Sequence, residues 1–174
     1  MSDGGVVFSS DLVSILDTRE LPWCIPAEGE PFHGTGVKVK VLARDDEGSP
    51  LVQLLWIPPG TPSFSPGGVR ERHYHKTVRE YVFTLEGELP FREYRELDGD
   101  GELVVYKQGY FLDRRPGPGS GHGMDTEHAS PAGCLMLEVR TGSRSQMAER
   151  GSEHETVVLH DADIPAWRAG TAQA

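Results

Sequence analysis

Apolar residues gather in short extended runs separated by Gly and Pro, in places alternating with polar residues at a period of two, and helical spacing is never sustained. Val37, Val39 and Val41 alternate with Lys38 and Lys40, the signature of a half-buried strand. Residues 51–57 are a second apolar run, stopped by Pro58, Pro59 and Gly60. Residues 70–75 and 80–85 read as extended, and Glu86, Gly87 and Glu88 read as a turn sending the chain back through 89–94. Asp98, Gly99, Asp100 and Gly101 are a hairpin signal before strands predicted at 102–106 and 110–113. A glycine-rich loop at 116–121, a long strand at 134–140 and a short last strand at 157–159 complete the pattern. Only residues 11–16 suggest a turn of helix, with Ser10 as its cap. Residues 142–156 read as polar loop.

Short strands punctuated by 21 Gly and 13 Pro predict an all-β sandwich or barrel. A length of 174 residues is enough for one domain with its own core. The net charge of −10 argues against a nucleic-acid partner, because phosphate contacts need clustered Lys and Arg. The seven Arg between residues 70 and 115 are interleaved with acids. Cys24 and Cys134 make no disulfide framework and are expected as two buried free thiols. No apolar run approaches the ~18 residues of a membrane span, and the first residues lack a signal-peptide pattern, so a cytoplasmic protein is expected. Residues 17–23 and 161–167 echo each other, each ending in a Trp (Trp23, Trp167) that would anchor an extended arm on the barrel.

The chemistry-bearing feature lies in residues 67–87. On a strand, His73 and His75 point to the same face, and Glu80 follows a short turn later. Two imidazoles and a carboxylate on one face of a metal, with positions left open, is the arrangement of mononuclear non-heme Fe(II) oxygenases. Of the remaining histidines, His122 follows a Pro/Gly turn leaving a strand, His128 lies in a loop, and His33, His154 and His160 read as surface residues.

Residues 67–87 resemble the first cupin motif, Gly-X5-His-X-His-X4-Glu-X6-Gly, at every position, from Gly67 through His73, His75 and Glu80 to Gly87. Residues 109–126 are similar to the second motif, Gly-X5-Pro-X-Gly-X2-His-X3-Asn. Gly119 and His122 match it, the preceding loop is two residues longer, and Thr126 stands in place of Asn. The resemblance implies a double-stranded β-helix, the cupin jelly-roll barrel, over residues 37–141. Residues 1–36 then form an N-terminal arm, and residues 142–174 a C-terminal loop and arm. It implies His73, His75, Glu80 and His122 as ligands to one divalent metal, with His128 as the rival third histidine. Fe(II) is favoured, and Mn, Ni, Co and Zn suit the same donors. Looser similarities at residues 21–23, 38–46 and 133–134 connect the chain to small single-domain cupins of the ChrR anti-sigma type and to 2,4'-dihydroxyacetophenone dioxygenases.

Strand parity places Met136, Glu138 and Arg140 on one face and Leu135, Leu137 and Val139 on the other. The polar face either lines a substrate pocket, together with Trp56, or looks at solvent. Val82 and Thr84 share the face of Glu80, whereas Arg79, Tyr81 and Phe83 face away. The resulting expectation is an Fe(II) dioxygenase that cleaves a C–C bond in a small hydroxy-ketone or diketone, with O2 as co-substrate. The alternatives are a metal-dependent isomerase or lyase on the same ligands, and a non-catalytic metal- or ligand-sensing cupin. A homodimer is expected, through paired sheets or exchanged arms.

Overall fold

The structure, a computed structural model, describes residues 6–9, 14–26, 34–44, 48, 50–61, 72–96, 98–124, 128–141 and 156–158. Strands β1 (Val6–Ser9) and β2 (Ser14–Leu16) form an antiparallel pair. Residues 14–16 are therefore strand and not the expected helical turn; cross-strand pairing supplies the backbone partners that three residues of helix cannot. The remaining strands are β3 (Lys38–Arg44), β4 (Pro50–Ile57), β5 (His73–His75), β6 (Arg79–Tyr94), β7 (Glu102–Lys107), β8 (Phe111–Arg114), β9 (Gly121–Met124), β10 (Cys134–Thr141) and β11 (Thr156–Val158). All their pairings are antiparallel, as in a jelly-roll barrel. The expected helical turn at 11–13, the polar loop at 142–155 and the anchor Trp167 lie outside the described residues.

Strand β6 organises the architecture. It runs unbroken for 16 residues, so the turn expected at Glu86, Gly87 and Glu88 is a correction. Its first half lies between β8 and β10, and its second half between β7 and β9. One sheet therefore has the order β3-β4-β10-β6-β8 and the other β11-β5-β9-β6-β7, with β6 common to both. The residues that looked like a turn form the crossing point. Gly87 has φ +72°, and the ladder to β10 shifts register between Glu86 and Thr84. A Cβ on Gly87 would lie 2.0 Å from the Gly133 carbonyl oxygen, so only glycine permits the two chains to approach this closely.

The apolar core is built where the strand parities converge: Val37, Leu55, Ile57, Leu89, Cys134 and Met136 are buried together. Cys134 is buried as expected, and its thiol is pushed up to about 12 by burial. Cys24 is exposed, against expectation, because its side chain flanks an edge strand instead of entering the core. Its backbone pairs with Val39 through two 2.8 Å hydrogen bonds. Beside it, the Lys40 ammonium donates to the Thr18 carbonyl at 2.7 Å and sits 4.8 Å from the Trp23 ring centroid. Residues 18–24 thus cover the outer side of β3, blunting its exposed edge.

Candidate metal centre

His73 and His75 are two apart on β5, and both are buried. His122 is directly opposite His73 across the β5–β9 pair, which explains ring centroids only 4.1 Å apart. The ligand atoms of the three histidines lie within 4.8 Å of one another. The His122 Nδ1 is 3.0 Å from the Ser120 carbonyl oxygen. A carbonyl only accepts, so Nδ1 carries the hydrogen and Nε2 keeps its lone pair. Burial, with His73 and Arg114 nearby, holds the His122 imidazole well below its usual range, in the neutral form that a metal ligand requires. Gly121 and Gly123 flank His122, and the Phe91 ring stacks on it at 6.0 Å.

Glu80 enters from the other sheet. Its carboxylate is 3.2 Å from His75 Nε2 and 3.7 Å from His122 Nε2. Strand register places an arginine directly opposite it on each side, Arg114 on β8 and Arg140 on β10. Arg114 Nη1 donates to one Glu80 oxygen at 2.9 Å, and Arg140 Nη2 lies 3.2 Å from the other. Burial by itself would raise this carboxyl; Arg140, His75 and His122 outweigh it and hold Glu80 well below the usual carboxylate range. Arg114 also pairs with Glu93, and its Nη2 is 3.3 Å from the Tyr106 hydroxyl, which donates to Glu93. Burial would lower the Arg114 guanidinium; Glu93 and Glu80 keep it above its ordinary value. On β10, Glu138 is buried, bonded to the Gln53 amide at 2.5 Å and to Arg140 Nε.

The structure brings together His73, His75, His122, Glu80, Glu138 and Arg140. Glu138 and Arg140 face inward, not toward solvent. His128 is exposed and stands apart from the histidine cluster. Two pocket expectations need correction. Trp56 lies on the face of β4 opposite Gln53, Leu55 and Ile57, beside Lys38 and Leu135, so parity turns it outward. Met136 belongs to the apolar core. Arg79 does face away, pairing with Asp113 on the outer side. Arg114, Glu93 and Tyr106 were missed. Their types are ordinary strand residues, and only the register of β8 and β7 on β6 assigns them to the site.

No protein-family model matches the sequence, and no curated protein matches it. Solved structures do. One is a sugar phosphate isomerase of the cupin superfamily from Silicibacter pomeroyi, with TM-score 0.51, 20% identity, and 74% of this chain covering 75% of that one. Another is an RmlC-like cupin from Ralstonia eutropha, with TM-score 0.50, 19% identity and coverage of 84% and 71%. The chain is a cupin by fold. A putative ethanolamine utilization protein Q from Salmonella typhimurium aligns equally well, with TM-score 0.51, 18% identity and coverage of 80% and 94%.

The donor set fits a metal ion. Three buried imidazoles converge on one point, the ionised Glu80 carboxylate lies beside two of them, neither cysteine joins them, and a divalent ion bonds such donors at about 2.0–2.2 Å. Both sheets of this cupin fold contribute side chains to the site. Strands β5 and β9 present the histidines, and β6 with β8 and β10 presents the carboxylate with its two arginines. No helix among the described residues is long and apolar enough to cross a membrane.

Proposed function

We propose that this cupin is a metal-dependent enzyme, and that its reaction is an Fe(II)-dependent dioxygenation cleaving a C–C bond in a small hydroxy-ketone or diketone. The observation that carries the reading is the buried triad of His73, His75 and His122 with Glu80 beside it. Bound there, the metal would supply Lewis-acid stabilisation of a substrate oxyanion and, as iron, a means of using O2.

The chain's own residues prepare that chemistry. The Ser120 carbonyl orients His122 through Nδ1. Arg140, with His75 and His122, keeps Glu80 ionised, and Arg114 donates to its other oxygen. Counted formally, three carboxylates (Glu80, Glu93, Glu138) face two guanidiniums (Arg114, Arg140), an excess of one negative charge. With a divalent ion held there, the residues' formal count would change to one positive charge, a balance that suits a monoanionic ligand such as an ionised hydroxy-ketone. The same balance supports a second reading, Lewis-acid isomerisation or lysis of an anionic substrate without O2.

Anaerobic Fe(II) loading followed by O2-uptake measurements on a panel of hydroxy-ketones and diketones tests the proposal. About one iron per chain with substrate-dependent uptake is expected. Stoichiometric metal with no uptake on any substrate would turn the reading to the isomerase or lyase, and protein that takes no metal would end both.

A further inference from the structure

A partly open space lies next to the charged cluster around Glu80, sharing Tyr106 with it. A cavity of 210 Å³ opens between the two sheets, walled by Val82, Thr84 and Leu112 on one side and by Val104 and Tyr106 on the other. Phe111, 63% exposed, stands at its rim. Val82 and Thr84 follow Glu80 on the same face of β6, and Leu112 precedes Arg114 on the same face of β8. The cavity therefore begins where the charged cluster ends. Tyr106 belongs to both, its ring lining the cavity and its hydroxyl bonded to Glu93 and Arg114.

Protein interiors close voids larger than a water molecule, since open space forfeits contacts on every wall. An apolar space of roughly 150 Å³ stays dry and accepts a benzene ring. This one is larger, mostly apolar, open at its Phe111 rim, and adjoins a cluster that a bound divalent ion would leave with one positive charge in excess.

We propose that this cavity is the subsite for a ring-sized apolar group, aromatic or branched aliphatic, on a ligand whose anionic end lies at the Glu80–Arg140 cluster. The inference deepens the metal-centre reading by giving its ligand a shape: a chelating, monoanionic head carrying one bulky apolar substituent.

The test uses lactate and mandelate, hydroxy acids with the same head and a methyl or a phenyl group, titrated calorimetrically into metal-loaded protein. Benzene is added to metal-free protein and the thermal midpoint followed. Mandelate should bind about tenfold or more tightly than lactate. Leu112→Trp should bring that ratio near one while leaving lactate unchanged, and benzene should raise the midpoint of the wild type only. Val82→Phe repeats the block from the opposite strand if Leu112→Trp does not fold. Equal affinities in the wild type with no benzene shift would overturn the inference, as would a preference for mandelate that survives in the filled variants. If the protein takes no metal and neither acid binds, benzene decides alone. A shift confined to the wild type keeps the cavity and removes the metal reading; no shift removes both.

Discussion

The apolar core around Ile57, Leu89 and Cys134 and the charged cluster around Glu80 draw on the same strands, β4, β6 and β10, often from neighbouring inward positions. Met136 is in the core, and Glu138, the next residue on that face, bonds Gln53 and Arg140. Along β6, Val82 and Thr84 lie between Glu80 and Leu89. The two regions are held by different physics. The core is held by excluded water and close packing, which tolerate a change of side chain if volume is kept. The cluster is held by charge pairing in a low-dielectric interior, where removing one partner strands the other. A barrel that were core throughout would be more forgiving and would bind nothing.

The sharpest way to break this contrast is to remove one ligand. His73→Ala or His75→Ala should lower metal content below a tenth of wild type, measured by elemental analysis, while Ile57→Ala leaves the stoichiometry unchanged. Next in size is Arg114→Met. Arg114 is 6% exposed at its side chain and joins Glu80 to Glu93, so its loss should cost about 3–5 kcal/mol in urea unfolding. Combined with Glu80→Gln, the cost should fall well short of the sum of the two; strict additivity would show that the pair is uncoupled. Ile57→Ala, at 2% exposure, should cost about 2–4 kcal/mol by cavity formation, with no coupling to Glu80.

Acid should separate the two regions without mutation. The folded state holds His122 below its ordinary 6.5 and Glu80 below its ordinary 4.5. In each case the unfolded chain takes up a proton that the folded chain refuses, so both groups stabilise the fold above those values and lose that contribution as pH falls. Metal-free protein should therefore lose stability on going from pH 8 to 5.5, and His122→Gln should flatten that part of the profile. An unchanged slope in the variant would reassign the effect. The smallest expected effect is at Arg79→Ala, whose partner Asp113 is, like it, about one third exposed. A loss above about 1 kcal/mol there would contradict the surface assignment.

Much of this was legible in the residues. Period-two alternation located β3, short runs between Gly and Pro signals located β4, β7, β8 and β10, and the His73–His75–Glu80 spacing named three residues that the structure brings close together. The reading failed where one local signal serves two structures. Glu86, Gly87 and Glu88 suit a turn and a bulge equally, and the choice was made by Gly133, which packs 46 residues away in the chain. Trp56 failed because the four consecutive apolar residues 54–57 carry no parity of their own; its outward face follows from the register with Lys38 and Leu135.

By itself, then, the sequence determined the all-β class, the strands with alternating pattern and the candidate metal-donor residues, because side-chain type and a spacing of two are local properties. Tertiary structure decided that His122 and not His128 completes the histidine cluster, that two arginines flank Glu80, and that an apolar cavity adjoins them. Those facts depend on which strands become neighbours and in what register. That choice is made by burying the whole inner face at once, and no short stretch of chain records it.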